Sequence, residues 1–322
     1  MGITALAATA CGGSNAQATS SPAQTDTVEN VPTVYFIKEI TPENLMKIYD
    51  ALGRKAEGKV AVKLSTGEAG NPNHLSPALI KELVNSVDGT IVECNTAYGG
   101  QRADTKDHMK VAEEHGFTAI APVRILDADG QVELPLEGGK HLKHDIVGKG
   151  LLDYDFLMVL SHFKGHPMAG FGGAIKNIAI GLASPEGKAY IHSGGKTDKL
   201  PDAWSMIPED DIFQESMAEA SKAIIDHMTP EKMLYISVAN NLSVDCDCVA
   251  DPAPIEMADI GIFASLDPVA LDRACVDAVR NSNDHGKVHL VERMESKHGP
   301  HCLDYAEQIG LGSQKYKLVE LK

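Results

Sequence analysis

Two stretches of the sequence carry residues that can bind metal ions. Asp-Cys-Asp-Cys occupies positions 245–248, and Ser-His-Phe-Lys-Gly-His occupies positions 161–166. Residues two apart on an extended segment point the same way, so both thiols of the first stretch can face one site. Thiolates select zinc, copper(I) or iron–sulfur clusters, and imidazoles suit several of these metals. The pattern predicts a metal ion or iron–sulfur cluster held by the following candidates: Cys246, Cys248, His162 and His166.

Each candidate ligand also has a structural interpretation. Free cysteines are among the most buried residues, so Cys246 and Cys248 could be small core side chains. Their C-x-C spacing differs from the C-x-x-C of common zinc and ferredoxin sites. Histidines often serve as hydrogen-bonding residues instead. Cys94 follows a predicted strand over 90–93 and could reach the same sheet edge, so it is a further metal-ligand candidate.

A glycine-rich segment, Gly170-Phe171-Gly172-Gly173, follows the histidines. Glycine lets the backbone approach a ligand closely, and the helix predicted from Ala174 would offer free N–H groups to an anion. The spacing matches neither the Walker loop nor G-x-G-x-x-G, which argues against nucleoside triphosphates. Alternatively, the glycines only allow tight strand-to-helix packing. The candidate cofactor-binding residues here are Gly170, Gly172, Gly173, Lys176 and Asn177.

Two residues are candidates for catalysis. His192 can move protons, because the ordinary pKa of histidine lies near neutral pH. Lys176 could hold an anionic substrate or cofactor by its charge. No G-x-S-x-G elbow occurs, so a hydrolase triad is unsupported.

The elements that must position these residues alternate between strand and helix. Strands are predicted at 34–37, 59–64, 90–93, 156–160, 233–238 and 260–264, and helices at 41–52, 76–87, 104–115, 210–228 and 267–279. Such alternation predicts an α/β fold with a layered, mostly parallel sheet flanked by helices, and turn-rich pieces add a small β-rich excursion around 121–147. Ligands in such sheets bind beyond the carboxyl ends of strands, which is where the 161–166 motif begins.

The composition narrows the range of partners. The chain has 322 residues, 43% of them hydrophobic, and a formal net charge of −16. Phosphate backbones require basic surfaces, so the sequence predicts no nucleic-acid partner and a small-molecule substrate or ligand instead. No apolar run approaches the roughly 20 residues of a membrane span. The sequence leaves the oligomeric state open.

The amino terminus resembles the end of a bacterial lipoprotein signal. Small apolar residues at 3–10 precede Cys11, and a Ser/Thr/Gln/Ala-rich tether follows up to about Asn30. The organisation predicted is therefore a leader and tether over 1–30 and a single α/β domain over 31–322. The expected location is extracytoplasmic, with a membrane contact only through a lipid anchor at Cys11. The alternatives are a leader with no targeting role and a cytoplasmic protein.

Taken together, these motifs resemble the domain-of-unknown-function 362 family, whose members are often associated with iron–sulfur clusters. The matching segments are SHFKGH (161–166), GFGGAIKNIAIGLAS (170–184), Gly187-Lys188 with His192, DCDC (245–248), DIGIFASLDPVALD (259–272) and YAEQIGLG (305–312). The resemblance adds Lys188 to the cofactor-binding candidates. Many relatives carry a ferredoxin-like insert after the residue that His192 matches, and the cysteine-free segment here implies a form that lacks it.

A looser similarity links His166 and the Ala169–Lys176 segment to nickel-pincer lactate racemases. It would make Lys176 a cofactor anchor. Three functional hypotheses follow from the sequence. The first is a metal- or iron–sulfur-dependent redox enzyme acting on a small substrate. The second is a non-catalytic surface lipoprotein that captures a metal or ligand, and the third is an isomerase with a lysine-anchored cofactor.

Overall fold

An eight-stranded β-sheet forms the centre of residues 31–322, the part of the chain that the computed structural model describes. The predicted leader over 1–30, with Cys11, lies outside the described residues. The strands are β1 (Thr33–Ile37), β2 (Val60–Lys63), β3 (Thr90–Glu93), β4 (Val123–Ile125), β5 (Gln131–Pro135), β6 (His144–Gly148), β7 (Phe156–His162), β8 (Lys164–His166), β9 (Gly170–Gly172), β10 (Met233–Ala239), β11 (Gly261–Ser265) and β12 (Lys317–Glu320).

The main sheet is mostly parallel, which confirms the predicted fold class. Its strand order is β12-β1-β11-β10-β7-β2-β3-β4. Strand β11 runs antiparallel to both of its neighbours, and the other neighbouring strands run parallel. Strands β5 and β6 form the predicted β-rich excursion as an antiparallel pair. Strand β4 instead joins the edge of the main sheet, beside β3.

Helices cover both faces of this sheet. They are α1 (Pro42–Ala51), α2 (Pro77–Ser86), α3 (Thr105–Glu114), α4 (Ala174–Leu182), α5 (Pro185–His192), α6 (Leu200–Ala203), α7 (Asp210–Met228), α8 (Pro268–Asn281), α9 (Lys287–Ser296) and α10 (His301–Gln308). Several begin as the sequence predicts, because a capping side chain precedes them: Thr41 accepts from the N–H of Asn44, and Asp267 accepts from that of Val269. None of the described helices is long and apolar enough to cross a bilayer.

The side chains of each central strand divide between two hydrophobic cores. In β7, Phe156, Met158 and Leu160 pack with α1 and α2, while Leu157 and Val159 pack with the core under α4, α7 and α8. This alternation follows from the two-residue period of a strand. Because both faces are covered, the first five residues of β7 are all apolar, as is usual in parallel strands.

The strand order reverses between β2 and β7. From β2 the chain continues to β3 on one side, and from β7 it continues to β10 on the other. A crevice opens beyond the carboxyl ends of strands at such a switch point, and ligands bind there in open α/β sheets. The fold therefore brings the segments after Lys63, Glu93, His162 and Ala239 to one place.

Candidate functional site

The SHFKGH and glycine-rich motifs form a β-hairpin. Strands β8 and β9 pair antiparallel, with His166 opposite Gly170. The hairpin lies against the loop that carries the Asp-Cys-Asp-Cys run, and the N–H of Gly165 donates to the carbonyl of Ser243 at 2.8 Å. A Cβ atom on Gly165 would lie 2.3 Å from the carbonyl oxygen of Val244, so only glycine fits this contact.

The Asp-Cys-Asp-Cys run separates its carboxylates from its thiols. Asp247 is buried, hydrogen-bonds to Nδ1 of His162 at 2.8 Å and forms an ion pair with Nζ of Lys164 at 2.8 Å. Burial opposes ionisation of Asp247, but these two partners hold its pKa below the ordinary value. Asp245 pairs with Arg293 at 3.3 Å, on the other side of the loop. The two cysteines face the crevice.

Three of the predicted metal ligands come together. The ligand atoms of His166, Cys246 and Cys248 all lie within 4.8 Å of one another, and two of these residues are buried. Two sulfurs and one nitrogen are a set suited to soft or borderline ions such as zinc. The described residues therefore contain a His/Cys cluster that could hold a metal ion.

Two other predicted ligands lie outside this cluster. Both ring nitrogens of His162 already have hydrogen-bond partners, Nδ1 with Asp247 at 2.8 Å and Nε2 with the carbonyl of Asn240 at 2.6 Å. The thiol of Cys94 donates to the carbonyl of Leu182 at 3.2 Å, and burial raises its pKa to about 12. The structure thus places His162 as a support for Asp247 and Cys94 as a protonated thiol in the cavity wall.

Several donors surround the sulfur of Cys246. Nζ of Lys176 lies 3.5 Å from it, and the backbone N–H of Cys248 lies 3.3 Å from it. A hydrogen bond with the thiol of Cys248, aided by the charge of Lys176, lowers the pKa of Cys246 despite its burial. The same pairing raises the pKa of Cys248. Of the two cysteines, Cys246 is therefore the one that ionises more readily.

The hydrogen bonds of His166 define its tautomer. Nδ1 accepts from the backbone N–H groups of Met168 and Ala169, at 3.1 and 2.9 Å. In the neutral ring Nε2 therefore carries the proton, and His166 also hydrogen-bonds to Cys246. A metal ion at Nε2 would require the other neutral tautomer, with the proton on Nδ1 and the two backbone hydrogen bonds released, because a neutral imidazole binds a metal through the nitrogen that carries no hydrogen.

A cavity of about 100 Å³ opens in front of the cluster. Its walls come from the ends of β2, β3 and β7, the start of α4, helix α5 and the Asp-Cys-Asp-Cys loop. Among the predicted site residues, the following line it: Cys94, His162, His166, Gly172, Gly173, Lys176, Asn177, Lys188, His192, Cys246 and Cys248. Gly170 instead packs against Met294 and Gly299.

Buried charges that the sequence analysis missed form the floor of the cavity. Lys63 lies 3.0 Å from Glu93, and Arg102 lies 3.3 Å from both Glu93 and Glu68. Lys63 and Glu93 each end an apolar strand, VAVK and TIVE. A charged residue closing a buried parallel strand is the sequence signal that could have identified them, because such strand ends border the ligand crevice.

His192 faces the cavity in a single neutral tautomer. Its Nδ1 donates to the carbonyl of Lys188 at 2.7 Å, and its ring stacks on Phe213 with centroids 4.9 Å apart. Burial lowers the pKa of His192 to about 4. The ring is therefore neutral at pH 7, with its lone pair on Nε2, as a proton acceptor requires.

The start of α4 differs from the expectation that it would bind an anion. The N–H groups of Ala174 and Ile175 donate to the carboxylate of Asp272, at 2.7 and 3.0 Å. A Cβ atom on Gly173 would lie 2.3 Å from the same carboxylate, so this glycine makes room for Asp272. A side chain from α8 therefore occupies the position that the sequence analysis assigned to a ligand.

Asn177 forms hydrogen bonds to both sides of the crevice. Its side-chain amide donates to the carbonyl of Lys63 at 3.1 Å and to the hydroxyl of Ser161 at 3.0 Å. The first partner ends β2 and the second belongs to β7. Asn177 therefore fixes the first turn of α4, which carries Lys176, over the switch point.

One family model and several solved structures match the chain. A family model described as "Domain of unknown function (DUF362)" matches residues 60–277. The lactate racemase apoprotein from Thermoanaerobacterium thermosaccharolyticum is 19% identical, with a TM-score of 0.37, and the match covers 63% of this chain and 50% of that one. A crystal structure of a Thermotoga maritima protein is 13% identical, with a TM-score of 0.45, and the match covers 74% and 58%. No curated protein matches the chain.

Proposed function

Because the chain belongs to the DUF362 family, and because its described part contains an open His/Cys cluster, we propose that it is a metal-dependent enzyme that carries out redox chemistry on a small molecule. One observation carries the proposal: the cluster offers three ligands at the wall of a cavity. Structural zinc sites usually close with four protein ligands, whereas catalytic sites keep one position open.

The ligand set fits a mononuclear ion better than an iron–sulfur cluster. Such clusters are usually held by four cysteines, and the cluster here has two, Cys246 and Cys248, together with His166. A bound ion would supply a Lewis acid, or an electron-transfer centre if it were iron. His192 would accept or return a proton at Nε2 beside it, and Lys176 would hold negative charge on a substrate.

The isomerase alternative requires Lys176 to be a nucleophile. Burial opposes the charge of Lys176, but Cys246, Cys248 and Asp247 together raise its pKa above the ordinary value. A protonated amine attacks nothing, so the surroundings of Lys176 favour a fixed positive charge over a covalent anchor. An unmodified mass for the peptide that contains Lys176 would agree with this assignment.

The metal content of the full chain tests the proposed function. After anaerobic purification, elemental analysis should find about one transition-metal ion per chain, as expected for one three-ligand site. The Cys246→Ser/Cys248→Ser double variant should contain almost none, because hydroxyls are poor ligands for soft ions.

Cys94→Ser is the matched control, since Cys94 lines the cavity but lies outside the cluster. It should retain the metal, while His166→Gln should bind it more weakly. Absorption bands of bound iron would favour redox chemistry, and colourless zinc would favour the capture protein of the second hypothesis. If the wild-type protein and the double variant contain equal amounts of metal, the proposed site is wrong.

A further inference from the structure

Five basic side chains line the cavity, and three of them are paired with carboxylates. Lys63 pairs with Glu93, Arg102 pairs with Glu93 and Glu68, and Lys164 pairs with Asp247. Pairing of this kind is expected, because an isolated charge removed from water is costly. These three cations are therefore balanced by the protein itself.

The other two, Lys176 and Lys188, are not balanced in this way. Nζ of Lys176 contacts the sulfur of Cys246, and Nζ of Lys188 donates to the carbonyl of Ala183 at 2.5 Å. Within residues 31–322, neither ammonium group lies within ion-pairing distance of a carboxylate. Lys188 is only 6% exposed, so water compensates its charge poorly.

Both lysines line the same cavity, Lys176 from α4 and Lys188 from α5. Burial already lowers the pKa of Lys188, and a negatively charged ligand beside it would favour its charged form.

We propose that the cavity binds a compact dianion, held by Lys176 from α4 and Lys188 from α5, as the substrate of the metal site. The inference rests on the proposed function for that role, although the binding itself needs only the two lysines. A volume of about 100 Å³ accommodates roughly seven to ten non-hydrogen atoms. A short dicarboxylate or a phosphate is of this size. His192, one helical turn from Lys188, would lie beside the bound anion.

Isothermal titration calorimetry on the full chain tests the proposal, in a buffer of low chloride content because salt screens the charges. Malonate and inorganic phosphate are the dianionic probes, and acetate is the monoanionic one. At least one dianion should bind about tenfold or more tightly than acetate, because it gains a second charge-assisted hydrogen bond. Which dianion binds identifies the ligand class within the proposal.

Variants locate the site. Lys176→Gln and Lys188→Gln should each weaken dianion binding by about tenfold or more while leaving acetate nearly unaffected. Lys81→Gln, on the exposed side of α2, is the control and should change neither. Both lysines are substituted because Lys188 is the more buried of the two. If Lys188→Gln fails to fold, Lys176→Gln still tests the proposal. Equal affinity for acetate and the dianions, or no binding of any probe, would overturn the proposal.

The Cys246→Ser/Cys248→Ser variant separates this proposal from the proposed function. If the variant and a metal-free wild-type chain both bind the dianion, the anion site stands and the metal-dependent enzyme fails. If the wild-type chain contains the metal but prefers no dianion, only the anion site fails.

Discussion

Glu93→Gln is expected to lower the free energy of unfolding by about 3–5 kcal/mol at pH 7, the usual cost of removing one partner from a buried ion pair. Glu93 is 4% exposed and Lys63 is 1% exposed. Glutamine would leave Lys63 without a counter-charge and would weaken the contact with Arg102. Urea unfolding at pH 7 measures the loss.

The stability that the Glu93→Gln substitution removes should decrease as the pH falls. Burial opposes the charge of Glu93, but Lys63 and Arg102 lower its pKa from 4.5 to about 2. A carboxyl whose pKa is depressed by folding contributes stability above its unfolded pKa, and the contribution is lost as pH falls through the folded pKa. The difference between wild type and Glu93→Gln should therefore shrink between pH 4.5 and 2.

Burial and pairing shift the pKa values of Lys63 and Glu93 by unequal amounts. Burial lowers the pKa of Lys63 more than Glu93 raises it, whereas Glu93 has two cations and the N–H of Thr66. The charge on Glu93 is therefore the better stabilised. Glu114→Gln is the control, because that residue forms only an exposed pair with Lys110. A Glu93→Gln variant as stable as the Glu114→Gln variant would contradict the stabilising role of the buried Glu93 ion pairs.

Gly165→Ala is expected to cost about 1–3 kcal/mol of stability and to reduce metal binding. The added Cβ would lie 2.3 Å from the carbonyl oxygen of Val244, a backbone atom that cannot rotate away. Relief would require the hairpin and the Asp-Cys-Asp-Cys loop to separate. His166 and Cys246 lie on opposite sides of that contact, so the cluster should open.

Thermal unfolding and elemental analysis measure the two effects of Gly165→Ala. Gly99→Ala is the matched control, since a Cβ atom there meets nothing within 4 Å. Neither glycine has the positive φ that would add backbone strain. The comparison therefore isolates the steric contact, and equal melting temperatures for the two variants would disprove the predicted clash.

Helices and strands with a clear local hydrophobic pattern could be predicted from the sequence. The helix over Asp210–Met228 and the strand over Thr90–Glu93 have the bounds that their periodicity predicted. Helix α5, Pro185–His192, was missed because its amphipathic pattern is short and nearly every residue is buried. The hairpin over 164–172 has no strand pattern of its own, since three glycines and a proline interrupt it.

Pairings between distant segments could not be predicted in the same way. Motif reasoning selected His166, Cys246 and Cys248, but not which histidine joins the thiols, because that depends on the contact at Gly165. Asp272 was recognised only as part of a family motif, and nothing local shows that it caps α4. The order of the strands in the sheet decides which of these distant segments meet, and no local pattern encodes that order.

The position of the cluster at the switch point bears on the order in which the site assembles. His166 and Cys246 are about 80 residues apart and meet only when β7 and β10 pair side by side. Closing so long a loop is slow compared with forming a helix. A metal ion would therefore bind late in folding, to a domain that has already largely formed, and would stabilise it. In this respect the protein would differ from a zinc finger, whose metal organises folding from the outset.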